Sequence, residues 1–196
     1  MREFKSKERL SKIKRVLKYR QKDLTVILEN IHDPHNVSAI FRSCDSVGVK
    51  KINLLYHIEK FPRLSNKVSG SGSKWVEFER HNIVENCFKK LKAEGYYIIG
   101  SKISENAKSI YDIDFTKKTA ILFGNEHRGI SEEAEKLCDE LVYIPMFGMA
   151  QSLNVSVAVS VTMYEVLRQR MVLGLYNEQS LSETEYENLI DKWCSY

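Results

Sequence analysis

Five short apolar runs recur along the chain: Thr25–Glu29 (TVILE), Lys51–Tyr56 (KINLLY), Tyr96–Ile103 (YYIIGSKI), Thr119–Phe123 (TAILF) and Leu141–Met146 (LVYIPM). Runs of this length with little polar alternation need cover on both faces, and helices laid over parallel strands provide it. The segments between them supply such helices. Asn36–Val47 carries Val37, Ile40, Phe41 and Cys44 on one face and stops at Gly48. Ile83–Ala93 ends before Gly95, Ile130–Asp139 is short, and Ser152–Met171 is long and almost wholly apolar at its start. Ser182-Glu-Thr-Glu185 is a capping box that opens a closing helix to about Trp193. Glu59–Lys74 reads as a long loop and Trp75–Phe78 as a short strand. The fold class that follows is α/β, a mainly parallel sheet covered by helices on both faces.

With 196 residues, 43% hydrophobic and 29% charged, the chain suits one soluble domain with short attachments. No apolar run reaches the roughly 18–20 residues of a membrane span, and the N-terminus is basic and polar, so a cytoplasmic location is expected. Cys44, Cys87, Cys138 and Cys194 are far apart and read as free thiols, most of them buried. His32-Asp-Pro-His35 offers no third ligand at sensible spacing, so no metal is expected. Charge is uneven: residues 1–22 hold ten Lys or Arg against two Glu, in a chain of net charge +4. Leu10, Ile13 and Leu17 recur there at helical spacing, giving a helix docked by one stripe with its lysines outward. A basic helix on an acidic body suits a polyanion such as RNA, although a solvated helix face would look the same.

Three stretches concentrate polar groups where a parallel sheet binds ligands, at the C-terminal ends of its strands. In Glu29–Gly48 (ENIHDPHNVSAIFRSCDSVG) a strand passes through a polar turn to a helix capped by Asn36, with Arg42 on the face opposite Ile40, Phe41 and Cys44. In Ile121–Ser131 (ILFGNEHRGIS) a buried strand breaks at Gly124, and Asn125, Glu126, His127 and Arg128 fill the turn. Gly124 permits close approach of a ligand or another backbone. In Ile144–Val161 (IPMFGMAQSLNVSVAVSV), Pro145 and Gly148 end a strand and leave backbone groups free for the edge of a flat heterocycle. Ser152 then starts the helix. Ser69–Lys74 (SGSGSK) is not a nucleotide fingerprint; it reads either as a substrate-facing loop or as plain surface.

Taken in order, the three stretches resemble the motifs of the SpoU group of RNA ribose methyltransferases, within the SPOUT superfamily. Asn36 and Arg42 match the first motif, Phe123-Gly-Asn-Glu126 the second, and Ile144-Pro-Met with Ser152-Leu-Asn-Val-Ser156 the third. The resemblance covers about Asp23 to Val172. The basic N-terminal helix, the GSGSKW stretch and the C-terminal helix are similar to members that methylate a D-loop guanosine of tRNA. The resemblance implies a deep C-terminal trefoil knot, among the rare exceptions to unknotted folds, that binds S-adenosylmethionine. It also implies a homodimer. On this basis Ser101, Gly124, Ile144, Met146 and Leu153 would bind the cofactor, and Arg42, Asn36, Glu126, Ser152 and Asn154 would be catalytic. Asn36 and Asn154 would orient Arg42 and the cofactor. Arg42 would bind the ribose 2'-hydroxyl and a phosphate, since a guanidinium of pKa above about 12 does not take a proton at neutral pH. Lys12, Arg15, Lys18, Arg20, Arg168 and Arg170 would contact tRNA, the last two from the exposed side of the long helix, with Arg63, Lys67 and Lys74 nearby. The expected division is a basic extension over 1–22, a methyltransferase domain over 23–172 and a helical extension over 173–196.

Overall fold

The computed structural model describes residues 2, 5–61 and 72–196; Arg63, Lys67 and the first part of the SGSGSK stretch lie outside them. Seven strands form one sheet: β1 (Gln21–Glu29), β2 (Val49–Leu55), β3 (Glu77–His81), β4 (Tyr97–Ser101), β5 (Lys108–Ser109), β6 (Thr119–Phe123) and β7 (Glu140–Tyr143). Their order is β3-β2-β1-β6-β4-β7-β5, and every neighbouring pair is parallel. The helices are α1 (Lys7–Lys18), α2 (Pro34–Ser46), α3 (Gly72–Trp75), α4 (Val84–Ala93), α5 (Glu132–Leu137), α6 (Val155–Val172) and α7 (Glu183–Cys194). A 3-10 turn, Ile110–Asp112, follows β5.

The apolar runs are buried because helices lie on both faces. Val37, Ile40 and Phe41 of α2 and Val159, Met163 and Val166 of α6 cover one face. Val84, Cys87, Phe88 and Leu91 of α4, with Ala134 of α5, cover the other. A third cluster sets Ile13 and Leu17 of α1 against Tyr186, Leu189, Ile190 and Trp193 of α7, so the two ends of the chain share one small core. Ser182 and Glu185 form the expected capping box. Glu185 also pairs with Lys50 at 2.5 Å, and that ammonium, with the Ser182 donors, holds the carboxyl down at about 2. All four cysteines are free; burial pushes the thiols of Cys87 and Cys138 up to about 12, which leaves them unreactive.

Several boundaries differ from the sequence reading. Asp33 caps α2 by accepting from the His35 N–H, with Pro34 in the first turn, so Asn36 is not the cap. Asn154, not Ser152, caps α6 through the Ser156 N–H. β7 stops at Tyr143, just before Pro145, which has no N–H for the ladder. Trp75 closes α3, and the edge strand begins at Glu77. β5 is two residues long, too short to show a period.

Two arginines assigned to RNA belong to the interior. Arg170 is fully buried; it donates to Asp23 at 2.7 Å, to Gln21 at 3.1 Å, and to the carbonyls of Phe115 and Lys117 at 3.0 and 2.8 Å. Arg20 is also buried, donating to the Asp45 carboxylate and to the Val49 carbonyl. Burying a guanidinium is costly unless its donors find acceptors; every nitrogen of Arg170 has one, while Arg20 uses both terminal nitrogens and leaves its Nε unpartnered, and the two side chains knit chain segments together. Arg168 does point outward, in a two-point pair with Glu165 at 2.8 Å. Arg170→Met is therefore expected to lower unfolding stability by about 2–4 kcal/mol, since it orphans several buried acceptors. Arg168→Ala should cost less than about 1 kcal/mol. Urea unfolding monitored by circular dichroism separates the two.

Candidate active site

The strand register brings the ends of β1, β6 and β4 to one edge: Leu28 pairs with Phe123, and Leu122 with Gly100. The chain turns there at Asn30, Gly124 and Ser101. A cavity of about 480 Å³ opens at this edge. Ser101, Gly124, Ile144, Met146 and Leu153 all line it, and so do Glu126, Ser152 and Asn154. Its volume lies within the roughly 300–1,000 Å³ of small-molecule sites.

Glu126 organises the mouth. Its carboxylate accepts the N–H of His32 at 3.0 Å, the N–H of Asp33 at 3.3 Å and the Asn36 side-chain amide at 2.8 Å. Partial burial pushes this carboxyl up, but those donors outweigh it and hold the group below the ordinary glutamate range. Asn36 uses its oxygen to accept from the Asn154 amide at 3.1 Å. Asn154 in turn accepts from the Ser156 N–H at 2.8 Å and the Ser156 hydroxyl at 2.6 Å. One chain of side chains thus runs from the β6 turn through α2 to the start of α6. The polar residues before the apolar helix are explained: Asn154 satisfies the helix end and ties it to α2.

Gly124 has a local reason. A Cβ there would lie 2.1 Å from the carbonyl carbon of Gly129, because the 125–129 turn folds back on its own strand. The backbone it admits is the protein's own. From Met146 to Leu153 no backbone group bonds to another backbone group among the described residues. Of this stretch Met146, Ser152 and Leu153 line the cavity, and their free backbone donors and acceptors are available to a heterocycle edge, whereas residues 147–151 are exposed.

Other expected residues fall elsewhere. Arg42 is exposed on α2 and does not line the cavity. It lies six positions after Asn36, about 9 Å along a helix axis. Within one chain Asn36 and Asn154 bond Glu126, each other and the start of α6, and neither bonds Arg42. Ser152 lines the cavity, and its hydroxyl has no partner among the described residues.

Sequence reasoning missed a brace behind the cavity. Buried Glu29 accepts from the Ser131 N–H at 2.9 Å and the Ser131 hydroxyl at 2.6 Å, and it meets His57 Nε2 at 2.8 Å. Asn30, at φ 51°, accepts three successive N–H groups, those of His57, Ile58 and Glu59, through one side-chain oxygen. Its carbonyl accepts from Asn125 at 2.7 Å. The available signal was the polar pair Glu29-Asn30 closing an otherwise apolar strand.

A parallel sheet whose polar loops gather around one cavity at the strand ends is the frame of a small-ligand enzyme. The chain belongs to the family described as SpoU rRNA Methylase, whose profile matches residues 23–164. It is 43% identical over 185 residues to tRNA (guanosine(18)-2'-O)-methyltransferase of Thermus thermophilus, covering 94% of this chain and 95% of that one. It is 40% identical to the protein of the same description in Escherichia coli, over 93% of this chain and 80% of that one. The crystal structure of the Aquifex aeolicus TrmH/SpoU tRNA modifying enzyme superposes with a TM-score of 0.90 at 37% identity, covering 96% of this chain and 95% of that one. The SpoU methyltransferase AviRb of Streptomyces viridochromogenes, solved with the cofactor AdoMet, gives a TM-score of 0.69 at 28% identity, over 77% of this chain and 59% of that one.

The Asn36–Asn154 bond joins segments 118 residues apart, and its coupling is measurable. Asn36→Ala and Asn154→Ala are each expected to cost about 1–2 kcal/mol. In a double-mutant cycle the pair should cost at least about 0.5 kcal/mol less than the sum of the two. Additive losses in urea unfolding would show that the two side chains act separately.

Proposed function

We infer that this protein transfers a methyl group from S-adenosylmethionine to the ribose 2'-hydroxyl of guanosine 18 in tRNA. The observation that carries the reading is the likeness to guanosine-18 enzymes along nearly the whole chain, through α1 and α7, which lie outside the matched family profile.

The cavity residues fit the cofactor: an apolar wall from Ile144 and Leu153, the unpaired backbone of Met146, Ser152 and Leu153, and the side chains of Ser101 and Ser152. When bound, S-adenosylmethionine supplies a methyl group made electrophilic by its sulfonium. The chain's own residues position the acceptor hydroxyl and the group that takes its proton. Glu126 keeps the 32–36 turn and α6 in register across the cavity mouth. Arg42 binds the 2'-hydroxyl and an adjoining phosphate by hydrogen bonds. The hydroxyl oxygen would gain the methyl group as its bond to sulfur breaks, leaving a neutral thioether, and the hydroxyl proton would pass to that phosphate or to water, because the guanidinium has no lone pair to offer.

Arg42 stands away from its own cavity, so we assign it to the cavity of a second protomer in a homodimer. The apolar residues of α6 continue around the helix, and Val157, Tyr164, Met171 and Val172 are exposed, a surface suited to that pairing. A trefoil knot formed by the C-terminal part accords with the sheet order. β6 is inserted between β1 and β4, and α6 returns to the α2 side after β7 has passed outside β4. Lys12, Arg15 and Lys18 are exposed on α1 and, with Arg168 and Lys74, are proposed phosphate contacts. Residues 1–22 thus act as an RNA-binding extension, 23–172 as the methyltransferase domain, and 173–196 as the support that packs against α1. No helix among the described residues is long and apolar enough to cross a membrane, which agrees with work on tRNA in the cytoplasm.

Incubation with labelled S-adenosylmethionine and an unmodified tRNA transcript should yield an alkali-resistant linkage at guanosine 18. A methylated base, or no product, would overturn the reading. Arg42→Ala should keep cofactor and tRNA binding while turnover falls about 10²-fold or more. Near-normal turnover would remove its role. Replacing Lys12, Arg15 and Lys18 together by Glu should weaken tRNA binding at least about tenfold and flatten its salt dependence, with cofactor affinity unchanged. These exposed positions are preferable to deletion of α1, whose Ile13 and Leu17 are part of the α7 core.

A further inference from the structure

A second cavity, of about 240 Å³, lies between α1, the end of α2, α3 and α7. Its charged walls are Arg9, Lys12 and Asp45, its apolar floor is Ile13 and Val16, and its aromatic walls are Trp75 and Trp193. These are the only two tryptophans of the chain. The Trp75 ring meets Trp193 at 5.0 Å and 63° and Tyr196 at 5.7 Å and 76°, so the rings form a corner instead of closing on one another in a stack. The Arg9 guanidinium stands 5.9 Å from the Trp75 ring centre, and Arg20 covers Trp193 at 5.1 Å. A packing void would be lined by apolar groups; this one combines an aromatic corner, two cations and a carboxylate. Aromatic faces beside cations take a flat base with its phosphate.

Asp45 narrows the choice. One of its carboxylate oxygens accepts from Arg20, and the other has no partner among the described residues. A carboxylate only accepts, so the group it faces must donate. Guanine alone of the four RNA bases sets two donors side by side, its N1–H and its exocyclic amine. Adenine, cytosine and uracil each put an acceptor next to their donor.

We propose that this cavity is a guanine-binding subsite for RNA, with Trp75 as the stacking face and Asp45 as acceptor for the N1–H and the amine. The proposal rests on the tRNA-methylating reading. Asp45 follows Arg42 by three residues on α2, which puts their Cβ atoms about 5–6 Å apart on the helix surface. The base is therefore either that of the methylated guanosine or that of a guanosine beside it.

Because both tryptophans line the cavity, the intrinsic fluorescence of the unaltered protein reports on it. An unmodified tRNA transcript should quench that fluorescence over the same concentration range in which filter retention shows it binding. Retention without a fluorescence change overturns the subsite and leaves the tRNA reading intact, whereas absence of retention overturns the tRNA reading itself. Transcripts with inosine, which lacks the exocyclic amine, at the target position or at each neighbouring guanosine identify the source. Affinity should fall about tenfold at one of these positions; loss at none of them overturns the guanine assignment. Asp45→Asn should bind the guanine and inosine transcripts equally. If it weakens both and keeps the tenfold preference, Asp45 serves only to hold Arg20 and the proposal is wrong.

Discussion

The carboxylate of Glu126 accepts from two backbone N–H groups and one amide, on the turn after β1 and the first turn of α2, ninety or more residues earlier in the chain. An acceptor in this position does what no apolar contact could: it fixes the direction of each segment as well as its distance. Asn36, held on one side by Glu126, is free on the other to take the amide of Asn154. The start of α6, the turn after β6 and the turn after β1 are therefore one unit, and the cavity is the space they enclose. Donors enough to overcome partial burial keep the carboxylate ionised, so the arrangement holds across the neutral range.

Behind that unit stands a second layer with the same physics. Glu29 and Asn30 close β1 and collect N–H groups from the loop after β2 and from the turn before α5. Polar groups at the end of a parallel strand are hidden from water and must be matched. Matching them with acceptors from another segment converts a desolvation cost into fixed geometry. Loops without secondary structure can then carry a site whose walls stay in place.

The arginines show how position overrules residue type. Ten basic side chains in 22 residues point to a polyanion, and most of them are exposed on α1. Arg20 among them, and Arg170 on α6, are buried instead; each has a carboxylate and backbone carbonyls within reach, and each serves cohesion. A helical pattern reports which face a residue occupies, but not whether another chain segment covers that face. Arg170 sits beneath the start of β1 and the 115–117 turn, and nothing within α6 announces either.

The parallel sheet was determined by the sequence alone, because short apolar runs separated by helical patterns admit few other burials, and so were the three polar stretches at the strand ends, because proline, glycine and polar clusters mark where strands stop; the individual cavity residues Ser101, Gly124, Ile144, Met146 and Leu153 followed from the resemblance to SpoU motifs. The capping box at Ser182 was equally local. Only the tertiary structure decided that Asp33 caps α2 and so frees Asn36 for Glu126, that Arg42 stands outside its own cavity, and that α1 and α7 enclose an aromatic pocket. Each of these depends on pairing between segments far apart in the chain, and periodicity within one segment carries no information about what lies opposite it.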